Sequence, residues 1–241
     1  MEFACVTDVG LVRDKNQDSY IAINNNYGDF LLLVADGIGG GKAGEVASGE
    51  LIKYFDNEFK SSGPFDKISD AINYLIYHVN QANKCVYDLS LQKEEYSGMG
   101  TTLSGILITN NGTISINCGD SRVYGLIDNM LIHLTVDHTL VNKMIEDGEI
   151  TYEQSLNHPK RHYLLKAIGI FDKVEPDIHK VRDMDYYLIC SDGLHSYVSD
   201  EEIKNVILNE ETSVKDKVNS LKVLALSKGG LDNITIILVK R

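Results

Sequence analysis

The chain has 241 residues, of which 35 are Asp or Glu and 23 are Lys or Arg, so its formal net charge is −12. With 43% hydrophobic and 24% charged residues, the composition excludes a disordered chain, and the length allows a core that folds without disulfides or a structural metal. The acid excess excludes a protein built to bind nucleic acid or anionic membranes, which require clustered cations, and it suits a site that collects divalent metal ions.

The sequence of the first half of the chain predicts two strands, two helices and then four closely spaced strands, in that order. Runs rich in β-formers predict strands over 20–23 and 29–35. Apolar residues at helical spacing predict helices over 43–60 and 66–91. Four further strands are predicted: 101–109, 113–118, 123–127 and 130–134. These strands leave no room for crossover helices, which favours an antiparallel meander over a parallel βαβ arrangement.

The end of the chain predicts two strands and two helices. A strand over 185–190 is followed by a helix for which Ser199-x-x-Glu202 forms a capping box. A last helix is predicted to stop at Gly229-Gly230, before a strand over 233–239.

The segment over about 139–166 is polar and mixed, apart from a possible short helix that begins at Thr151. We predict that it forms an irregular insert on the surface. No linker or repeat divides the sequence. The element order therefore predicts one α+β domain over 1–241, in which helices cover antiparallel sheets.

Cysteine usage and hydropathy indicate a cytoplasmic protein. The four cysteines are scattered, without a C-x-x-C pair: Cys5, Cys85, Cys118 and Cys190. This spacing indicates neither a zinc site nor a redox pair and favours a reducing compartment. The N-terminal residues lack the pattern of a signal peptide, and the longest apolar run, 30–35, is far shorter than the ~20 residues of a membrane span.

Four aspartates stand where an apolar strand begins or ends, a position at which burial of a carboxylate is costly without a cation. They are Asp36, Asp120, Asp192 and Asp232. Each alone is also consistent with a turn or a helix cap, because Asp is common in both. Four in one chain favour a shared site, and an all-oxygen donor set suits magnesium or manganese rather than zinc.

A cation near the N-terminus adds a possible anion site. Arg13 stands in the run Arg13-Asp14-Lys15-Asn16-Gln17-Asp18. Its forked guanidinium suits a pair of phosphate oxygens, although a surface ion pair with Asp14 is an equally good interpretation of the sequence.

These residues fall into ordered motifs that cover nearly the whole chain. The motifs are Asp8-x-Gly10 with Arg13-x-x-Asn16-Gln17-Asp18, Ala35-Asp36-Gly37-Ile38-Gly39-Gly40, Ala43-Gly44-Glu45, Gly100-Thr101-Thr102, Gly119-Asp120-Ser121-Arg122, Thr135-x-Asp137-His138, Ala167-Ile168-Gly169, Ser191-Asp192-Gly193-Leu194 and Gly230-x-Asp232-Asn233-Ile234-Thr235. In this order they resemble the metal-dependent protein phosphatases of type 2C (PPM), in their compact bacterial form. The resemblance implies a four-layer α-β-β-α sandwich of two antiparallel sheets, with metal ions held between the sheets and a flap-like insert at about 139–166.

The resemblance also implies a role for each matching site residue. Asp36 would bridge two ions of Mn²⁺ or Mg²⁺, and the carbonyl of Gly37 would bind one of them. Asp192 and Asp232 would bind the other ion. Three further roles are implied: Asp18 would hold water on the metals, Asp120 with Asp192 would form a third, weaker metal site, and Arg13 would bind the substrate phosphate.

The chain departs from the family where its members usually carry a histidine that could act as general acid. Many members have His after Asp-Gly, where this chain has Ile38, and bacterial members usually have His after Gly-Gly, where it has Gly41. Either water on a metal or another histidine would then protonate the leaving group, and general acid catalysis is worth typically ~10²–10⁴-fold. Three histidines are candidates, and each is also consistent with a structural role: His138, His158 and His162.

The resemblance predicts a metal-dependent phosphatase that removes phosphate from phosphoserine and phosphothreonine in proteins. A Ser/Thr kinase of eukaryotic type is its expected partner, and we expect a monomer that binds neither nucleic acid nor membrane. Two alternatives stay open at this point. One is a phosphatase devoted to a single regulatory protein, although such relatives usually lack parts of the Arg13 motif. The other is a non-catalytic scaffold, against which the complete set of aspartates counts.

Overall fold

The computed structural model describes residues 1–38 and 43–241, which form two antiparallel sheets packed face to face. The first sheet contains, in spatial order, β1 (Glu2–Asp8), β11 (Ile234–Lys240), β10 (Tyr186–Cys190), β7 (Arg122–Ile127) and β8 (Met130–His133). The second contains β2 (Asp18–Asn24), β3 (Phe30–Ile38), β5 (Leu103–Thr109), β6 (Gly112–Cys118) and β9 (Asp177–Val181), and the short β4 (Gly100–Thr101) pairs with β3.

Helices cover both outer faces of the sheets. The second sheet packs against α1 (Gly44–Phe59) and α2 (Ile68–Ser90), and the first packs against α5 (Asp192–His195), α6 (Asp200–Leu208) and α7 (Val214–Ser227). Two further helices, α3 (Leu140–Glu146) and α4 (Tyr152–Leu156), and a 3₁₀ turn at Glu94–Tyr96 lie in connections. The predicted α-β-β-α sandwich is confirmed. No helix in the described part of the chain combines the length and the apolarity that crossing a membrane requires.

Alternation along β3 explains why this strand lies at the centre of the sandwich. Leu31 and Leu33 belong to the cluster that packs under α1 and α2, whereas Leu32 and Val34 belong to the cluster between the sheets. All four side chains are fully buried. An apolar run of this kind predicts a strand that is covered on both faces, and it fixes the register that carries Asp36 to one end of the sandwich.

The predicted meander of four consecutive strands is wrong at its centre. After β6, the chain crosses to the other sheet through 119–121, so β6 pairs with β9 and β7 pairs with β10. Strand alternation predicts which face of a strand is buried, but it does not identify the neighbouring strand, and two short hairpins satisfy the same pattern as one meander. The crossing places Asp120 between the two sheets.

The sequence prediction missed β1, β9, α3 and α5. The edge strand β1 and the partly exposed β9 are identified by their pairing with buried strands, and α5 is only four residues long. The insert predicted to be irregular contains α3 as well as α4, which begins after Thr151 as predicted. The helix α3 buries only Val141, which is too little for a visible helical period.

Candidate active site

A cleft of about 420 Å³ opens at one end of the sandwich, where strands of both sheets end. The residues that line it include one cation, one histidine and four carboxylates: Arg13, His162, Asp36, Asp120, Asp192 and Asp232. Gly37 and Ile38 line it as well. The fifth predicted carboxylate, Asp18, is only 8% exposed and stands opposite Asp36 in the pairing of β2 with β3. The fold therefore brings together residues that lie more than 200 positions apart.

Asp18 is held from the other sheet and still has unused bonding capacity. Ser191 Oγ donates a hydrogen bond of 2.7 Å to Asp18 Oδ2, and the amide of Thr235 donates to the same Ser191 Oγ at 3.0 Å. Asp18 Oδ1 is buried and has no hydrogen-bond partner among the described residues. A buried carboxylate oxygen without a donor is costly, so this atom is suited to an additional ligand such as a cation or its water.

The carboxylates in the cleft disfavour one another's charge. Burial raises the pKa of Asp18 to about 6 and the pKa of Asp120 to about 7. For Asp36 and Asp192 the pKa is raised well above the usual range, first by burial and then by the other carboxylates around the cleft. Positive charge in the cleft would reverse these shifts, since an opposite charge within a few ångströms favours the ionised form.

The backbone of Asp36 is fixed by the segment between β4 and β5. Thr102 accepts from the Asp36 amide through Oγ1 at 2.9 Å and donates its own amide to the Asp36 carbonyl at 2.8 Å. The Thr102 hydroxyl also shares a 2.7 Å hydrogen bond with Ser121, the residue after Asp120. At Gly37 a side chain is excluded, because a Cβ atom would lie 2.2 Å from the carbonyl oxygen of Gly44.

Asn233 holds the loop that carries Arg13. Its side-chain oxygen accepts from the Gln17 amide at 2.8 Å, and its side-chain nitrogen donates to the carbonyls of Val9 and Lys15 at 2.9 and 3.0 Å. These three bonds close the loop 9–17 over the start of β11. The sequence motif contained Asn233, but its bonds could not be derived, since amide side chains carry no periodic signal.

The loop also presents Arg13 to the cleft. Arg13 Nη2 donates to Asp232 Oδ2 at 2.7 Å, and its side chain is 53% exposed. Gly10, at a φ of +80°, permits this approach, because a Cβ atom would lie 2.3 Å from the Asp232 carbonyl oxygen. Arg13 pairs with Asp232 rather than with Asp14, the alternative that the sequence left open, and its remaining guanidinium nitrogens can receive an anion.

His195 ties the two aspartate-bearing turns together. Its Nε2 lies 2.9 Å from the carbonyl oxygen of Asp120, and because a carbonyl only accepts, Nε2 carries the proton. Burial lowers the pKa of His195 well below its usual value, so the ring is neutral. No sequence pattern singles out His195, although it follows Asp192 by three positions in the same turn.

The donor set fits hydrated divalent cations. Across residues 1–38 and 43–241, no three His, Cys, Asp or Glu side chains form a ready-made metal cage. Mg²⁺ rarely uses such cages, because it keeps several of its waters and binds through one or two carboxylates. The converging carboxylates and the unpartnered oxygen of Asp18 match this mode of binding, whereas zinc sites are usually built from cysteine sulfur and histidine nitrogen.

Of the three histidines considered as general acids, His162 lines the cleft. Its Nδ1 is 3.8 Å from Asp192 Oδ2, and burial followed by the charge of Arg161 lowers its pKa. His138 instead accepts from the Gly119 amide and faces Asp177, and His158 accepts from the amide of Lys160. Ile38 places an apolar side chain in the cleft, whereas Gly41 lies outside the described residues.

Comparisons with known proteins gave consistent matches. A family model described as "Protein phosphatase 2C" matches residues 12–222. A putative protein phosphatase 2C-type from Streptococcus pyogenes is 36% identical over 241 residues, covering 99% of this chain and 97% of the relative, and protein phosphatase PhpP of Streptococcus pneumoniae is 35% identical with coverage of 99% and 97%. The crystal structure of serine/threonine phosphatase Stp1 from Staphylococcus aureus superposes with a TM-score of 0.94 at 35% identity, covering 100% of this chain and 94% of that one.

Proposed function

Because this chain belongs to the protein phosphatase 2C family and is a serine/threonine protein phosphatase of that type, we propose that it uses divalent metal ions to hydrolyse phosphoserine and phosphothreonine in proteins. The resemblance expected from the ordered motifs is confirmed. The observation that carries the metal-dependent part of the proposal is the convergence of four aspartates on one cleft, with Asp18 buried opposite Asp36 and carrying an unpartnered oxygen.

The proposed ligands follow the family pattern. Asp36 would bridge two ions of Mn²⁺ or Mg²⁺, with the Gly37 carbonyl on one of them and Asp192 and Asp232 on the other. The two remaining aspartates would act through water or at a third, weaker site: Asp18 and Asp120. Support comes from the position of Asp36, Asp120, Asp192 and Asp232 around one cleft and from the raised pKa values of Asp36 and Asp192. When bound, the ions supply an activated water nucleophile and positive charge that neutralises the phosphate.

The chain's own residues would orient the substrate. Arg13 stands at the mouth of the cleft with its guanidinium beside Asp232, where it can donate to two phosphate oxygens. Asn233 and Gln17 keep the loop of Arg13 in place. His162 is the candidate for protonating the leaving serine or threonine oxygen, since it lies in the cleft on the side of Asp192.

The proposal extends to the biological setting. The substrates are phosphorylated proteins, and we propose that a Ser/Thr kinase of eukaryotic type supplies them. Four cysteines without disulfides support a cytoplasmic location: Cys5, Cys85, Cys118 and Cys190. The monomeric state stays a prediction.

Stereochemistry at phosphorus tests the proposal. Hydrolysis, with Mn²⁺, of a phosphothreonine peptide whose thiophosphate is made chiral with oxygen isotopes should invert the configuration at phosphorus, because water displaces the threonine oxygen in a single in-line step. A protein nucleophile would require two successive displacements and would give net retention. Net retention, or equal rates with Mn²⁺ and with chelator, would contradict the proposed mechanism.

A further inference from the structure

A second groove, of about 510 Å³, adjoins the active-site cleft. The groove and the cleft share Asp120, His162 and Tyr197. One wall of the groove is the segment 139–166, and the other is the chain from His195 into the first turn of α6. A polypeptide that places one residue in the cleft can therefore continue into this groove.

The wall formed by α4 is unusually apolar for a surface. Tyr152 and Leu156 lie one helical turn apart, line the groove and are 64% and 53% exposed. The cap of α4 fixes their position, because Thr151 and Gln154 exchange hydrogen bonds between side chain and backbone. Val141 and Val198 add buried apolar surface to the lining. Exposed apolar side chains along a concave surface are typical of a ligand-binding groove.

The opposite rim carries unneutralised negative charge. In the lining of the groove, Arg122 is already paired with Asp137 through Nε and Nη2, so that ion pair has no net charge, and the exposed Arg161 belongs to the other wall, in the segment 139–166. Glu201, at the start of α6, forms an exposed pair with Lys204. Asp200 beside it is exposed, and the described part of the chain offers it no ion pair. A basic side chain of a bound polypeptide would find its partner here.

We propose that this groove binds the substrate polypeptide next to its phosphorylated residue and selects an apolar side chain against Tyr152 and Leu156 and a basic side chain at Asp200. This inference rests on the proposed function and adds a sequence preference to it. The net charge of −12 acts in the same direction, since it disfavours acidic substrates.

The apolar contact is tested by Tyr152→Ala, with Tyr163→Ala as the matched control. Tyr163 is in the same segment and is 61% exposed, but it lies outside both concavities. The measured quantity is the ratio of kcat/KM for a phosphothreonine peptide with a flanking leucine to kcat/KM for a small aryl phosphate. Tyr152→Ala should lower this ratio roughly three- to tenfold, as expected for losing part of one buried apolar contact, and Tyr163→Ala should leave it unchanged. Equal ratios in Tyr152→Ala and Tyr163→Ala would overturn the proposed apolar contact.

The charge preference is tested by Asp200→Lys, with Glu210→Lys as a control of equal charge change on an exposed residue outside the groove. For two phosphothreonine peptides that differ only in a flanking arginine or alanine, the preference for arginine should fall by about two- to fivefold in Asp200→Lys, the range of an exposed ion pair. The preference should fall much less in Glu210→Lys. The same change in both variants would show a long-range charge effect and overturn the assignment to Asp200.

Binding separates this inference from the proposed function. A fluorescent peptide with a non-hydrolysable phosphonate in place of the phosphate ester reports affinity by anisotropy without turnover. A protein that binds this peptide in a Tyr152-dependent manner but releases no phosphate would contradict the proposed function and support the groove. An active enzyme whose affinity for the peptide is unchanged by Tyr152→Ala and Asp200→Lys would overturn the groove and leave the phosphatase function in place.

Discussion

The carboxylates of the cleft should make the metal-free protein less stable than a variant that lacks one of them. Asp120→Asn removes a buried charge while its backbone carbonyl still accepts from His195. We expect this variant to be more stable than the unmutated protein at pH 8 in the presence of a chelator, which is the opposite of the usual effect of a core substitution.

The magnitude follows from the pKa of Asp120, which burial raises to about 7. In the unfolded chain this carboxyl has a pKa of ~3.9. Between about pH 4 and 7, the folded state therefore keeps a proton on Asp120 that the unfolded state has released. Stability therefore falls as pH rises through this window. Proton linkage lowers the free energy of unfolding by roughly 2 to 3 kcal/mol between about pH 5 and 8. For a domain of this size, that loss lowers the midpoint of thermal unfolding by about 5–10 °C.

The assay is urea denaturation with a chelator at both pH values, for the unmutated protein and the variant. Comparing the two proteins cancels the opposing contribution of the buried histidines, whose pKa values are lowered by burial. Asp172→Asn, at an exposed position, is the control for a generic loss of one charge. If the difference between Asp120→Asn and the unmutated protein is the same at pH 5 and pH 8, the reasoning from buried, repelling carboxylates is refuted.

Three further substitutions probe the cleft. Arg13→Ala should lower kcat/KM for phosphopeptides about 10- to 100-fold, the range for hydrogen bonds to a charged group. Arg13→Lys should recover only part of the lost activity. Full activity of the alanine variant would exclude Arg13 from phosphate binding. His162→Ala should slow phosphoserine hydrolysis by about 10²-fold or more. The hydrolysis of aryl phosphates should be affected far less, because their leaving groups need little protonation. An unchanged phosphoserine rate would exclude His162 as the general acid. Asn233→Ala should lower the free energy of unfolding by about 2–4 kcal/mol in a denaturant titration, since three backbone groups lose their partner; a change below about 0.5 kcal/mol would contradict its role as the anchor of the 9–17 loop.

Strand-end aspartates could be predicted from the sequence because local signals converge on them. Asp36 lies near the end of a strand that is buried on both faces, and Asp192 stands two residues after another apolar strand. Each alone has an ordinary explanation as a turn or cap residue, and only their order along the chain gave the family resemblance. The α-β-β-α layering came from that resemblance and was confirmed by the paired sheets.

The contacts between distant segments could not be predicted from the sequence. Ser191 reaches Asp18 across 173 positions, and Asn233 reaches Gln17 across 216. Such hydrogen bonds depend on how the sheets are placed against each other, and no local pattern encodes that placement. The crossing between β6 and β7 was missed for the same reason, since alternation does not specify the partner of a strand.

The central claim is metal-dependent hydrolysis at the cleft, and phosphate release from a phosphothreonine peptide tests it most directly. The unmutated protein should release phosphate with Mn²⁺ and lose this activity with a chelator, and Asp192→Ala should release little phosphate at any Mn²⁺ concentration. No release by the unmutated protein with any divalent metal, or equal release by Asp192→Ala, would contradict the account.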